Sequence, residues 1–200
     1  MAGRPREFDR DDALAKARDA FWKRGYEGVS MSDLVAILDL ASSRIYAAFG
    51  SKEDLFREAV SLYRDGEGGA PVRALNAEPT VRKAIEAMLR AAVVTYTQPG
   101  RPRGCMVVTA ATNCTSDNDG VMKWLAERRR ERNRAILDRL EAAKADGELI
   151  ARADVQALAD HFSAVMSGLS VQARDGLSRE RLLALIPAAI AVLEPFLRKS

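Results

Sequence analysis

The sequence predicts an all-α protein of about nine helices, with an N-terminal helix-turn-helix module and a larger C-terminal helical domain. Three observations point there. Almost every segment carries its apolar residues at helical rather than strand spacing. Capping residues stand at the expected helix starts, Asp9, Ser30 and Ser51 among them. Clusters of glycine and proline separate the periodic segments. With 200 residues, 48% hydrophobic and 30% charged, the chain can bury a sizeable core without disulfide or metal staples.

In order, a first helix is predicted over 11–24, where Ala13, Leu14, Ala17, Ala20 and Phe21 share a face. Asp9 caps it, and Asp11 and Asp12 suit its positive end. Gly25 and Gly28 end it. Ser30-Met31-Ser32-Asp33 is a capping-box pattern ahead of Leu34, Ile37 and Leu38, a short second helix. Asp39 interrupts that helix, and a third runs over 41–49. Gly50-Ser51-Lys52-Glu53-Asp54 closes it and caps a fourth, 52–65, apolar over a wide face. Gly66 to Pro71 reads as the clearest break and a mobile connection. Longer helices follow over 80–98, 118–146, 154–175 and 178–199, with a shorter one near 105–114. Pro187 should kink the last helix and Pro195 loosen its final turn.

Several classes are excluded or disfavoured. No apolar run reaches the roughly 18 residues that a membrane span needs. The first residues lack the apolar stretch of a secretion signal, so a cytoplasmic address is expected. Cys105 and Cys114 are too few for a disulfide framework and fit no metal pattern. On one helix they would stand about 13 Å apart, beyond disulfide reach, so both are expected reduced and at least partly buried. The net charge of +3 hints at a polyanionic partner. Residues 1–64, however, balance eleven Lys/Arg against eleven Asp/Glu. Placement, not total charge, carries the case for DNA.

That placement lies in 30–52. Two short helices joined by a tight turn hold one of them at a fixed angle, so that its exposed face can enter the major groove. Leu34, Ile37, Leu38, Leu40, Ile45 and Phe49 supply the apolar contacts. Asp39 takes the turn, where tolerance of left-handed geometry is wanted. Ser42, Ser43, Arg44, Ala47 and Ala48 form a mostly short-side-chain outer face that permits close approach to base edges.

Gly3-Arg4-Pro5-Arg6, then Phe21, Gly25-Tyr26 and Ser30, then the run from Ile45 to Leu55 together resemble the TetR family of bacterial regulators. The match is specific to about residue 63, and beyond it only length and helix order agree. The resemblance implies a homodimer, a double-stranded DNA operator bound by paired helix-turn-helix units, and a C-terminal domain sensing a small-molecule effector. It implies a DNA-binding unit at 1–51 and an effector and dimerisation unit at 52–200. By motif position Ser42, Ser43 and Arg44 face bases, Tyr46 and Lys52 lie on phosphates, and Arg4 and Arg6 form an N-terminal arm. Ser30 would offer a phosphate its hydroxyl or its helix N-terminus, which the helix dipole favours independently. Two positions depart from the family pattern: Asp39 stands where Gly is common, and Ala41 where Ser is common. Both bear on the turn angle and base contacts.

The remaining signals each have two readings. Arg128 to Arg134 is the densest basic run; with Glu127, Glu131 and Asp138 in reach, a solvated helix face is preferred over a second nucleic-acid surface. Cys105, just after Arg101 and Arg103, is either a small core hydrophobe or a thiol switched by oxidation or alkylation. Met88, Tyr96, Cys105, Met106, Trp124, His161, Phe162 and Met166 are candidates to line an effector pocket, or are plain core. His161, the sole histidine, anchors neither a metal site nor a catalytic triad. The last two apolar helices fill a monomer core or meet their copies in a dimer, and the resemblance favours the dimer.

The function read from the sequence is a homodimeric DNA-binding repressor released from a palindromic operator by an effector, with no cofactor, metal or catalytic step. Its rivals are the same protein switched through Cys105, an architectural DNA protein, and a helical cofactor-binding enzyme. The enzyme is disfavoured by a single histidine and the lack of a glycine-rich phosphate loop.

Overall fold

Helix α1 (Arg10–Arg24) begins where Asp9 accepts hydrogen bonds from the Asp11 and Asp12 amides, and ends where Gly25 turns into positive φ. The computed structural model that reveals this describes residues 8–111 and 114–198. Helix α2 (Met31–Leu38) opens on the expected capping box: Ser30 and Asp33 bond each other's backbone amides. Asp39 ends it in the left-handed conformation, φ 53° and ψ 44°, the geometry that its short polar side chain tolerates. Helix α3 (Ser42–Phe49) follows Ala41, which offers no side-chain cap. Ser51 and Asp54 form a second capping box at the start of α4 (Lys52–Asp65).

The glycine-rich stretch after α4 corrects the sequence reading, which took it for a mobile connection. A 3-10 turn over Glu67–Gly69 leads straight into a further helix, α5 (Ala70–Ala77). Pro71 sits in the first turn of α5, where its missing N–H costs no hydrogen bond. A Cβ on Gly68 would overlap the Tyr63 ring, so glycine serves close packing at this point. The Arg73 guanidinium donates to the carbonyls of Asp65 (3.4 Å) and Gly66 (2.7 Å), tying α5 back to the end of α4.

Helix α6 (Val81–Tyr96) is buried along most of its length and packs against α5, α8 (Asp119–Ala145), α9 (Val155–Arg174), α10 (Arg179–Ala184) and α11 (Ile186–Ile190). The short helix expected near 105–114 shrinks to one turn, α7 (Met106–Thr109), which touches α1, α4, α8 and α9. The long last helix is also corrected. Pro187 cannot donate a helical hydrogen bond, and the chain breaks at Leu185 into α10 and α11. Pro195 then confines the end to a 3-10 turn, Glu194–Phe196. The terminal segment instead pairs with the α8–α9 connection: Ile150 donates to the Phe196 carbonyl (2.9 Å) and Arg198 to that of Glu148 (2.9 Å).

Phe21, Tyr26, Phe56 and Trp124 form a chain of ring contacts joining α1, α4 and α8. Trp22 and Tyr63 continue it inward. Among the described residues there is no strand, and no helix is long and apolar enough to cross a membrane.

Candidate nucleic-acid interface and internal cavity

The outer face of α3 presents Ser42, Ser43, Tyr46 and Ala47 to solvent, with Tyr46 49% exposed. Arg44 on the same helix is half-buried. Ile45 and Phe49, one helical turn apart, anchor the opposite face in the core. Arg10 pins the end of α3 from outside: it lies 4.5 Å over the Phe49 ring, donates to the Ala48 carbonyl (3.3 Å) and pairs with Glu58 of α4 (2.7 Å). Arg24 pairs with Asp33 at 2.9 Å, joining the end of α1 to the start of α2. Three helices are thereby locked around a short-side-chain helix that protrudes from them.

Ser30, exposed ahead of α2, uses its hydroxyl in the capping box (2.6 Å to Asp33 Oδ2), so the group expected to meet a phosphate also holds the helix start. Hydrogen bonds from the Ser30 hydroxyl and amide, then from Arg24, hold the Asp33 carboxyl well below the usual carboxylate range. Lys52 Nζ lies 4.2 Å over the Tyr26 ring, and burial lowers its pKa while Glu27 opposes the shift. Arg4 and Arg6 lie outside the described residues.

A second feature is a partly enclosed cavity. It measures about 360 Å³ and lies between the ends of α4 and α6, the α5 helix, the start of α7, and α8 and α9. Of the residues expected from sequence to line a pocket, Tyr96, Cys105 and Met166 do so. Met88, Met106 and Phe162 are core residues away from this cavity. Trp124 packs on Phe56 and beneath the guanidiniums of Arg57 and Arg128. His161 Nε2 lies 3.3 Å from the Ala189 carbonyl, and its ring sits beside that of Phe162.

The cavity's polar wall comes from residues that sequence reasoning assigned elsewhere. Arg128, Arg129 and Arg132 of α8 line it, which corrects the reading of that basic run as a solvated face. Arg129 donates to the Val107 carbonyl (2.9 Å) and Arg132 to Ser167 Oγ (3.2 Å). Burial first, and then the neighbouring Arg132 charge, draw the Arg129 pKa below its ordinary value. Tyr63, also missed, brings a buried hydroxyl that lies against the Cys105 thiol and the Met106 backbone. The missed residues stand at core-like or surface-like helical spacing, so no local signal distinguishes them.

Cys105 is buried, and its amide donates to Ser170 Oγ at 2.8 Å. Arg101 and Arg103, expected to act on the thiol, are engaged elsewhere. Arg101 pairs with Asp19 (3.1 Å), and Arg103 donates to the carbonyls of Ala173 (2.7 Å) and Leu177 (2.6 Å). Arg129 of α8 lines the same cavity as Cys105.

The segment around α7 joins the two features. Cys105 and Val107 line the cavity, while the Ala110 carbonyl accepts the Tyr26 amide (2.7 Å) and the Gly104 carbonyl accepts Trp22 Nε1 (3.0 Å). Gly25 has φ 79°, and a Cβ there would stand 3.1 Å from the Ala110 oxygen, so this close approach needs glycine. Glu27 accepts from the amide of Thr115 (3.0 Å) and from Asn118 Nδ2 (2.7 Å). Helix α4 makes a parallel link, since its last turn gives Tyr63, Arg64 and Asp65 to the cavity.

Comparison with known proteins places both halves of the chain. Residues 13–59 match the family model for bacterial regulatory proteins of the tetR family, and residues 81–182 match a tetracyclin repressor-like C-terminal domain. The HTH-type transcriptional repressor ComR of Escherichia coli (strain K12) is 33% identical over 182 residues, covering 90% of this chain and 87% of the relative. The HTH-type transcriptional repressor BdcR of the same organism is 30% identical, over 92% of this chain and 88% of its own. Among solved structures, a cysteine mutant of the TetR family transcriptional regulator CifR, complexed with 26 bp double-strand operator DNA, superposes with a TM-score of 0.90. It is 42% identical and covers 94% of this chain and 98% of its own.

Proposed function

This chain belongs to the tetR family of bacterial regulatory proteins, and on that premise we propose that it is a homodimeric repressor released from a palindromic operator by a small molecule held in the partly enclosed cavity. It is a DNA-binding transcriptional regulator. The observation that carries the interface assignment is the exposed face of α3, short in its side chains and locked from behind by Ile45, Phe49 and the Arg10 clamp. Ser42, Ser43 and Arg44 read bases; Tyr46, Ser30 and Lys52 hold phosphates; Arg4 and Arg6 extend the contact. To meet phosphate, the Lys52 ammonium need only leave the Tyr26 ring face that it covers. The DNA-binding unit is 1–51 and the effector and dimerisation unit 52–200, working in the cytoplasm.

In a dimer the two α3 helices must stand about 34–36 Å apart, or a compatible multiple, to enter successive major grooves. An effector shifts that spacing only through a difference in its affinity for two conformations. The routes from cavity to interface are the last turn of α4 and the α7 segment, whose Ala110 carbonyl holds Tyr26. In gel-shift titrations at fixed salt, Arg44→Ala and Tyr46→Ala should each weaken operator binding about ten-fold or more, a loss of about 1.4 kcal/mol or greater. Their thermal midpoints should stay at the parent value. Unchanged affinity would overturn the residue assignment.

A second reading is favoured by the Cys105 thiol lining the cavity beside Arg129: oxidation or alkylation of that thiol replaces reversible binding as the trigger. Operator release by hydrogen peroxide or iodoacetamide in the parent, abolished in Cys105→Ser, supports it. Equal release in both proteins removes it.

A further inference from the structure

The effector reading leaves open what the cavity selects, and its walls carry a clear chemical bias. Arg129 and Arg132 stand three residues apart on α8, hence on one helical face, and both line the cavity. Among the described residues neither has a carboxylate within ion-pair distance; Arg129 bonds the Val107 carbonyl, and Arg132 the Ser167 and Tyr96 hydroxyls. Two carboxylates, Asp65 and Glu131, also line the cavity, and Glu131 is shared between Arg64 and Arg128, each at 2.7 Å. With Arg64, Arg73, Arg128, Arg129 and Arg132 set against these two, the wall keeps a net positive charge.

The unsatisfied polar atoms point the same way. The Nε atoms of Arg128 and Arg132 are buried without hydrogen-bond partners, and both belong to cavity-lining residues. Each of them can donate. The other buried atoms left unmatched, acceptors on Glu67 and Asn133 and the donor Nε of Arg57, belong to residues that do not line the cavity. Burial raises the pKa of both the Tyr63 and the Tyr96 hydroxyl, so both keep their protons and remain donors at any physiological pH. A site whose arginine and tyrosine donors outnumber its carboxylates favours a ligand that accepts at its charged end. Around these groups Pro71, Val72, Val107 and Met166 supply an apolar surface, and about 360 Å³ is at the small end of ligand pockets.

We propose that the cavity binds a small organic carboxylate, its anionic end on Arg129, Arg132 and the tyrosine hydroxyls, its short apolar or aromatic body against Val107 and Met166. A planar carboxylate matches the guanidinium fork and accepts several hydrogen bonds at once. The proposal names the ligand class for the effector site inferred above and rests on that site being the cavity.

The test uses the full-length protein and matched pairs of probes: benzoate with benzamide, and hexanoate with hexanamide. Calorimetric titration should give saturable binding of at least one carboxylate, at least ten-fold tighter than its amide. Arg129→Gln and Arg132→Gln should each weaken that binding ten-fold or more, and Tyr63→Phe about three-fold, with the unliganded thermal midpoint reporting whether each variant is folded. Amides binding as well as carboxylates, no carboxylate binding at all, or folded variants of both arginines keeping full affinity would each overturn the assignment. Operator release is read separately by gel shift. Carboxylate binding without release upholds the anion site and removes the effector reading. Release by amides and carboxylates alike keeps the effector reading and removes the anion site.

Discussion

The interface module and the cavity wall are built from similar residues, yet they use their polar groups in opposite ways. At the helix starts and joints around α2, α3 and α4 the groups are engaged within the module: Asp9 caps α1, Ser30 with Asp33 and Ser51 with Asp54 close reciprocal boxes, and Arg10 and Arg24 clamp neighbouring helices. Around the cavity the Nε atoms of Arg128 and Arg132 are buried with nothing to bond. A buried donor left unmatched costs roughly 1–3 kcal/mol, so such groups are retained against stability. The difference teaches which part is matched within itself and which part leaves polar groups over. Reading DNA needs a surface held in one geometry, whereas sensing needs a site whose energy changes when it is filled.

The largest test addresses whether the two regions are one cooperative unit. Phe56 is fully buried and touches Phe21 and Tyr26 on one side and Trp124 of α8 on the other. Phe56→Ala should cost about 3–5 kcal/mol in urea denaturation followed by circular dichroism, within a single transition. Two separate transitions in the parent protein would break the picture of joined regions.

A smaller pair of effects should differ in size. Ser30→Ala and Ser51→Ala remove satisfied caps and should each lower stability by about 1 kcal/mol. Tyr63→Phe removes a buried hydroxyl that faces only the weakly bonding Cys105 thiol and the Met106 backbone, and should shift the unliganded protein's stability by less than about 0.5 kcal/mol. Thermal melts of the three variants decide the matter, and a loss in Tyr63→Phe as large as in the caps would mean that its hydroxyl is held as firmly as they are.

The smallest effect concerns acid. Hydrogen bonds from Ser30 and Arg24 depress the Asp33 pKa, and those from Ser51 depress that of Asp54, both from an ordinary 3.8. Depressed carboxylates bind fewer protons folded than unfolded, so their stabilisation is full well above pH 3.8 and fades as the pH falls through that value. Melting midpoints should therefore show no pH dependence from the caps between pH 7 and 5, where their stabilisation is full, and a decline as the pH falls below about 4 toward the depressed values. That decline should flatten in a Ser30→Ala, Ser51→Ala double variant.

Much of the N-terminal module was legible because its determinants are local. The start of α1, both capping boxes, the left-handed turn at Asp39 and the extent of α4 follow from residues within four positions of one another. Gly66 to Pro71 misled for the opposite reason. Gly68 is required by the Tyr63 ring, and the segment is held by Arg73, contacts that glycine spacing alone does not reveal. The basic run of α8 misled in the same way. Arg130 and Arg134 are exposed, but Arg129 and Arg132 turn toward Val107 and Ser167. Arg101 and Arg103, adjacent to Cys105 in the chain, are drawn off by Asp19 and by the end of α9.

By itself, then, the sequence determined that the protein is all-helical, that a capped helix-turn-helix stands near its start, and that α3 has short side chains suited to close approach. Helical period, caps and turns act over one or two turns of chain, and a reader of residues can see that far. Only the tertiary structure decided which charges face inward, which arginine Nε atoms lack a partner, and that one turn of helix at Met106–Thr109 stands between cavity and interface. Those facts depend on which elements pack against one another. Packing brings together residues far apart in the chain, and no local pattern records it.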